Sequence, residues 1–223
     1  MTNFIRLTLA SAIICFIFAC KGDTAQKAGA AKEVSNTTGK SISLDTNRSN
    51  ILWTGSKPTG SHTGTIKFVE GFIKVDGSKV TGGEFTIDMN TITSTDLNGD
   101  SRKSLEAHLK GTAEGKSDHF FNVNKYPTST FEITSIKNLE NNDYATHLVY
   151  GNLTMKGITK SVSFQAAISD RGTDFAVRSS EFNINRTDWG INFKSKTVLD
   201  DLKDGFINDE IKLQINVIAP KSR

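Results

Sequence analysis

Two histidines in one long connecting segment are the residues of this chain best suited to chemistry. His108 and His119 have Glu106, Glu114 and Asp118 close by in the sequence. Imidazole and carboxylate groups bind zinc and other transition metals, and such a site needs a third ligand beside the two histidines. Histidines next to carboxylates are common in loops and at helix ends, so we predict no metal site. A metal-dependent or other enzyme using His108 and His119 stays open as an alternative.

Catalytic motifs of the familiar kinds are missing from the sequence. It has no Gly-x-Ser-x-Gly nucleophile turn, no phosphate-binding loop and no His-Glu-x-x-His helix. The only two cysteines are Cys15 and Cys20, so the rest of the chain has no thiolate nucleophile and no disulfide. We therefore expect no catalytic residue, no cofactor apart from a bound lipid, and a protein that is not an enzyme.

The first 20 residues are typical of an export signal. Arg6 precedes an apolar run over residues 7–19 that is too short to cross a membrane as a helix. The run ends in Ile17-Phe18-Ala19-Cys20, which resembles a bacterial lipobox, whose cysteine becomes lipidated. We expect Cys20 to anchor the protein to a membrane without spanning it. An ordinary secretory signal that is cleaved near Cys20 is the alternative.

Residues 21–40 are predicted to form a flexible tether. They are rich in Ala, Gly, Lys, Ser and Thr, and Val34 is their only sizeable apolar residue, so they cannot bury a core. Lys21 follows Cys20, which favours the outer membrane by analogy with the enterobacterial sorting rule. The expected location is that of a membrane-anchored lipoprotein facing the periplasm or the cell surface.

From residue 41 onward the dominant pattern is an alternation of apolar and polar side chains. Phe85, Ile87 and Met89 alternate with polar residues, as do the apolar residues within 162–168 and 211–217. This period of two predicts β-strands with one apolar face. Five more strands are predicted at 50–56, 63–75, 130–139, 144–156 and 174–185. Eight long strands joined mostly as hairpins predict an all-β domain over 41–223, folded as an eight-stranded antiparallel β-barrel.

One or two short helices are predicted in the connections. Residues 100–110 place Leu105 and Leu109 on one helical face, with Asp100 or Ser101 as the N-cap and Gly111 at the end. Residues 197–206 are predicted to hold another helical turn.

Three segments carry more specific signatures, in order along the domain. They read SDHFFNVNKYP at 117–127, GNLTMKGITK at 151–160 and RTDWG at 186–190. Together they resemble the YceI-like family of lipid- and polyisoprenoid-binding periplasmic proteins, over residues 41–219. The resemblance implies a lipocalin-like eight-stranded barrel that encloses a long apolar tunnel for an isoprenoid or a fatty amphiphile.

The inward-facing apolar residues of such a barrel are the candidates for ligand binding. An eight-stranded barrel is just wide enough either to hold one small ligand or to be filled by its own side chains. The same residues therefore either line an open tunnel or form a closed core. The candidate lining residues are Phe68, Phe72, Phe85, Ile87, Met89, Phe131, Ile133, Leu153, Met155, Phe164, Phe182 and Ile184.

Two residues of the third signature segment have candidate roles at the end of the tunnel. Arg186 is the candidate polar group that pairs with Asp188 or meets a phosphate or hydroxyl head group. Its alternative role is structural, with the guanidinium fixing backbone carbonyls near a strand end. Trp189 either covers the end of the tunnel or closes the core.

The predicted function is the binding of a polyisoprenoid or similar lipid by an envelope carrier or sequestering lipoprotein. The expected partners are that lipid and, through Cys20, a membrane. Nucleic acid is not an expected partner, because a formal net charge of +3 over 223 residues is too small to indicate a nucleic-acid-binding surface. A structural envelope lipoprotein with a filled barrel is a further alternative.

Overall fold

The computed structural model describes residues 28–35, 38–140, 142–199 and 202–221. The described residues form one sheet of 11 strands, together with one α-helix and two short 3₁₀ turns. In chain order the strands are β1 (Gly29–Ala30), β2 (Lys40–Ser43), β3 (Asn50–Lys57), β4 (Gly60–Asp76), β5 (Lys79–Ser94), β6 (Thr128–Asn138), β7 (His147–Met155), β8 (Ile158–Asp170), β9 (Asp174–Ser179), β10 (Phe182–Asn185) and β11 (Glu210–Pro220).

Eight of these strands close into a barrel. Each strand from β3 to β8 pairs antiparallel with the next one. Strand β9 pairs with both β8 and β11, and β11 returns to β3. The predicted eight-stranded antiparallel barrel is therefore confirmed. Strand β2 lies outside this ring, against β4.

The alternation in the sequence becomes an inside and an outside in the barrel. Along β5, the side chains of Phe85, Ile87 and Met89 are buried. The side chain of Glu84, which directly precedes Phe85, is exposed. Because successive side chains of a strand point to opposite faces, one face of every strand can supply the interior. The apolar interior is one continuous cluster that draws on all eight barrel strands.

The strand predicted at 174–185 is divided in two. The backbone N–H of Ser180 donates to the carbonyl of Gln165 at 2.9 Å, and past this bond the chain leaves β8. Strand β10 then pairs with β11, and with no other described strand. The division was not visible in the sequence because Phe182 and Ile184 continue the apolar alternation.

The single α-helix of the described residues, α1 (Gly99–Lys110), joins β5 to the segment before β6. Gly111 ends it in the left-handed conformation at φ 74°, as predicted. The predicted cap was wrong in position, because the N-cap is Asn98 and its side chain makes no capping hydrogen bond. A 3₁₀ turn at Lys203–Gly205 falls within the predicted helical turn, and a second one, Arg186–Trp189, was not predicted.

Residues 28–32 lie against the outside of the barrel, where the composition had predicted a coil. Strand β1 pairs with β8, and the backbone of Lys32 exchanges two hydrogen bonds with the side chain of Asn152. An open strand edge binds another segment through backbone groups, so this docking needs no apolar side chains. The predicted signal over 1–20, with Cys20, and residues 21–27 lie outside the described residues. Among the described helices, none has the length and apolar character needed to cross a membrane.

Candidate functional site

A cavity of about 310 Å³ lies inside the barrel. Its lining comes from all eight barrel strands, from β10 and from one face of α1, where Leu105, His108 and Leu109 close the space at one end. Ligand sites in proteins usually occupy about 300–1,000 Å³. The side chains of the barrel therefore do not fill its interior, and the open space is of a size that suits a small or slender molecule.

Most of the predicted lining residues border this cavity. The structure places twelve of the fourteen candidates there, and it places Phe72 and Trp189 elsewhere. The twelve are Phe68, Phe85, Ile87, Met89, Phe131, Ile133, Leu153, Met155, Phe164, Phe182, Ile184 and Arg186.

Five phenylalanines form a continuous belt around the cavity. Neighbouring ring centroids are 5.9 Å apart for Phe68–Phe85, 6.5 Å for Phe85–Phe131, 5.6 Å for Phe131–Phe164 and 4.7 Å for Phe164–Phe182. Such centroid distances lie within the range that favours aromatic pairs. The belt gives the interior a wall of aromatic carbon that can contact an apolar chain along its whole length.

A glycine makes room for this belt. The ring of Phe131 lies over Gly151 of the neighbouring strand, where a Cβ atom would be only 2.2 Å from the ring. Any larger residue at this position would push Phe131 into the cavity. Gly151 belongs to the second signature segment. The packing of Phe131 against it explains why this position of the segment is a glycine.

Phe72 does not line the cavity because the register of β4 shifts. Irregularities in the pairing with β5 occur between Thr65 and Lys67 and again between Phe68 and Glu70. Gly64, Ile66 and Phe68 keep one alternation of buried residues across the first shift, whereas the second shift reverses which side chains point inward. Past the second shift Ile73 is buried and faces the cavity, whereas Phe72 is only half-buried and faces outward.

Trp189 belongs to the core, outside the cavity. It is fully buried in the 3₁₀ turn, and its Nε1 donates a hydrogen bond to the carbonyl of Leu153 at 3.1 Å. The second of its two predicted roles, closure of the core, is the one that matches this position.

Arg186 borders the cavity, but its guanidinium is committed to the protein. Its Nε, Nη1 and Nη2 donate to the carbonyls of Asn208, Ile191 and Ile207 at 3.2, 2.7 and 3.0 Å. Nη2 also forms an ion pair with Asp209 at 3.0 Å. Burial lowers the pKa of Arg186, and Asp209 acts in the opposite direction. The predicted pairing with Asp188 was wrong, and the structural role is the one observed.

Two polar residues border the cavity at its rim. Lys57 at the end of β3 and His62 near the start of β4 both line the cavity. The Nδ1 of His62 is 2.8 Å from Oδ2 of Asp96. Burial raises the pKa of Asp96, but hydrogen bonds from His62, Thr63 and Ser94 outweigh this and lower it to about 2. Asp96 is therefore ionised near neutral pH and orients the imidazole. These rim residues were missed from the sequence because nothing in it places residues 57 and 62 beside the cavity.

A second polar cluster fixes α1 to β5. Glu106 accepts hydrogen bonds from Arg102 at 2.8 Å, from the hydroxyl of Thr93 at 2.7 Å and from the backbone of Ser94 at 3.0 Å. Burial raises the pKa of Glu106, yet these hydrogen bonds lower it to about 2. The helix that closes the end of the cavity is thus held by an ionised carboxylate.

His108 and His119 come together, as hydrogen-bonded neighbours. The Nε2 of His108 and the Nδ1 of His119 are 2.8 Å apart, and the ring of His119 stacks on Phe193 with centroids 3.9 Å apart. Burial lowers the pKa of His108, and the positive charges of Lys116 and Lys194 lower it further. The folded protein therefore favours the neutral form of the His108 ring. Over the described ranges no group of three His, Cys, Asp or Glu residues could hold a metal ion.

Comparison with known proteins supports the fold. A UPF0312 protein of Yersinia pestis (strain Pestoides F) is 32% identical over 100 residues, which are 41% of this chain and 47% of that relative. The chain thus spans about half the length of that relative.

Two solved structures share the architecture. BcnA of Burkholderia cenocepacia is similar with a TM-score of 0.59 at 20% identity, over 79% of this chain and 99% of that one. A polyisoprenoid-binding domain from Saccharophagus degradans, implicated in plant cell wall breakdown, also gives 0.59 at 16% identity, over 81% and 98%. At these identities the two structures show a common fold.

The family comparison covers most of the sequence. The family model described as the YceI-like domain matches residues 43–219, from β2 to the last residues of β11. Seven barrel strands, all of β11 except its last residue, α1 and the three signature segments lie within this match. The chain therefore belongs to the YceI-like domain family.

Proposed function

We propose that this protein binds a long apolar amphiphile, a polyisoprenoid or a similar lipid, inside its barrel and acts as a carrier or sequestering protein of the cell envelope. The observation that carries the proposal is the open cavity with its belt of phenylalanines. The similar fold of a domain described as polyisoprenoid-binding supports the same class of ligand.

The energy of apolar burial is sufficient for this function. Each buried methylene contributes about 0.8 kcal/mol, so a prenyl chain of about twenty carbons offers on the order of 16 kcal/mol before other terms. Association itself opposes binding by roughly 4–15 kcal/mol. An apolar chain can therefore bind without any hydrogen bond. Lipid binding thus does not require a hydrogen bond from Arg186.

The polar end of the ligand fits at the rim. Lys57 and His62 border the cavity at its rim, and the polar head of an amphiphile placed there stays close to solvent. We assign no reaction to this site. Its role is binding, and the oriented imidazole of His62 is a hydrogen-bonding partner for the head.

Native mass spectrometry combined with lipid extraction, on protein purified from membranes, tests the proposal. We expect a co-purifying lipid whose mass fits a prenyl chain, or uptake of an added prenyl quinone at one molecule per barrel. A protein that remains free of lipid and takes up no quinone would contradict the function.

Membrane attachment through Cys20 is part of the same proposal. The change C20S is expected to move the protein from the membrane fraction to the soluble fraction, which fractionation and immunoblotting measure. C15S is the matched control, because Cys15 lies within the apolar run. Unchanged membrane association of C20S would argue against a lipid anchor.

A further inference from the structure

Strand pairing does not close the whole wall of the barrel. The ladder between β8 and β9 runs from Asp170 only as far as Ala166, which pairs with Ser179. The first half of β8 then continues toward Ile158, whereas β10 follows β11. In the described residues no strand pairing joins this half of β8 to β10. We call this part of the wall the seam.

Apolar side chains fill the seam in a single layer. The rings of Phe164 and Phe182 stack across it with centroids 4.7 Å apart. Val162, Phe182 and Ile184 border the cavity on their inner side and a second pocket, of about 150 Å³, on their outer side. These side chains therefore lie between the interior of the barrel and the outer pocket.

The N-terminal strand β1 lies over the seam. Gly29 pairs with Ser161 and Ala30 with Lys160, on the edge of β8 that β10 leaves open. Gly29 and Lys32 also border the outer pocket. The side chain of Asn152 holds Lys32 through two hydrogen bonds, at 2.9 and 2.7 Å, and Asp188 accepts a hydrogen bond from the backbone of Ala28.

We infer that the apolar ligand passes through the barrel wall at the seam between β8 and β10, and that the strand β1 is a strap that closes this passage. The inference rests on the proposed function. Among the described strands, no ladder joins β8 to β10 across the seam, whereas an opening elsewhere in the ring would break a strand ladder. The inner side of the passage is lined by the apolar side chains of Val162, Phe182 and Ile184, which an apolar chain can contact as it enters or leaves the cavity.

The position of the strap suits exchange with a membrane. Ala28 follows Cys20 by eight residues in the sequence, a length that spans at most about 29 Å. A lipid anchor at Cys20 would therefore keep strap and seam near the surface from which a lipid comes.

A disulfide between strap and wall tests the inference. A Cβ atom built on Gly29 would lie 3.9 Å from the Cβ of Ser161, close to the mean separation in disulfides. The variant is G29C/S161C in the full chain with C15S and C20S, so that the introduced pair holds the only thiols. The reduced protein is loaded with a naphthoquinone that carries a four-isoprene chain, which quenches the fluorescence of Trp53 in the cavity.

Release into vesicles of phosphatidylethanolamine and phosphatidylglycerol is then followed as recovery of that fluorescence. We expect the oxidised protein to release the quinone at least about tenfold more slowly than the reduced protein, because opening the strap must break its ladder and its Asn152 hydrogen bonds. Addition of a reductant is expected to restore the rate.

A disulfide that leaves the strap free is the matched control. Thr154 and Thr159 face each other within the β7–β8 hairpin, with their Oγ1 atoms 2.8 Å apart. Oxidation of T154C/T159C is expected to leave the release rate unchanged. In the opposite direction, N152A is expected to speed both uptake and release about tenfold at an unchanged Kd, since two hydrogen bonds of the strap are lost.

The outcomes separate the two proposals. Binding of the quinone with equal release from oxidised and reduced G29C/S161C overturns the passage and leaves the proposed function standing. An equal slowing in T154C/T159C also overturns it, because that disulfide does not touch the strap. Absence of quinone binding by the unmodified chain overturns the proposed function, and the passage with it.

Discussion

In the middle of the barrel the inward-facing side chains are apolar and leave a cavity, whereas the end that carries α1 also holds polar groups that are bonded to one another. The middle holds the belt of phenylalanines around about 310 Å³ of open space. The other end holds Arg186 with Asp209, Glu106 with Arg102, and His62 with Asp96.

The difference follows from how each kind of group responds to burial. An apolar wall loses only contacts when space is left open, so the middle can stay partly open for a ligand. A buried charge or hydrogen-bonding group is strongly destabilising without a partner, so the polar end must be complete within the protein itself. Residues of the middle are therefore expected to control affinity, and residues of the polar end to control stability.

The change R186M is expected to have the largest effect. It leaves three backbone carbonyls and Asp209 without their partner, and loss of one member of a buried ion pair destabilises proteins by about 3–5 kcal/mol. Urea denaturation measures the free energy of unfolding. K103M is the control, because the pair of Lys103 with Asp100 is exposed to solvent, and no measurable change is expected there. A stability close to that of the unmodified protein in R186M would remove the distinction between the two regions.

The change V149W is expected to lower affinity with a smaller effect on stability. Val149 is buried and lines the cavity, so an indole there occupies the space of the ligand. We expect at least about a tenfold weaker Kd for a prenyl quinone, since a loss of about 1.4 kcal/mol is already tenfold. Calorimetric titration measures it. V69W, on the outward face of β4 where Val69 is half exposed, is the control, and equal affinity of V149W and V69W would contradict the assignment of the cavity.

The sequence was sufficient to predict the apolar region. Alternation alone indicates which face of each strand points inward, and this placed residues such as Phe85 and Phe131 on the cavity wall. The errors lie where alternation carries no signal of its own. The register shift of β4 between Phe68 and Glu70 turned Phe72 outward, and the division between β9 and β10 occurs without any change in apolar spacing.

The polar end was predicted less well because its partners are distant in the sequence. Arg186 was paired with its near neighbour Asp188, whereas its partner is Asp209, 23 residues away. Docking of β1 depends on backbone groups and on one side chain, Asn152, so the composition of residues 21–40 gave no sign of it. Long-range hydrogen bonds are set by the folded topology, which composition and period do not encode.

The change E106Q tests whether the end of the cavity depends on the polar region. Glu106 joins α1 to β5 through two hydrogen bonds, from Thr93 and Ser94, and accepts a third from Arg102 of its own helix; a neutral amide weakens the charge-assisted ones. We expect a loss of about 1–2 kcal/mol in the free energy of unfolding. The exposed residue Glu114 provides the control E114Q. Hydrogen exchange of the α1 amides is expected to become faster in E106Q and to stay unchanged in E114Q. Equal exchange rates in both variants would show that Glu106 does not hold the helix in place.

The smallest effect on stability is expected from a change of pH. It distinguishes the contribution of His108 from the contributions of Asp96 and Glu106. Burial lowers the pKa of His108, so the folded protein favours the neutral imidazole, and protonation is easier in the unfolded chain. Stability from this group is therefore complete above its ordinary pKa of about 6.5 and is lost as the pH falls below that value. The pKa values of Asp96 and Glu106 are about 2, so their contributions are lost only in stronger acid.

Urea denaturation at pH 7.5 and pH 5 measures this difference. The groups facing His108 are His119, Lys116 and Lys194, none of which offers a negative charge that would stabilise the protonated ring. We expect the unmodified protein to be less stable at pH 5, and H108Q to show a weaker dependence on pH. Burial also lowers the pKa of His147, far from this cluster, so H147Q serves as the matched comparison. If H108Q keeps the full dependence while H147Q abolishes it, the pH response belongs to the barrel wall, and the histidine pair has no part in it.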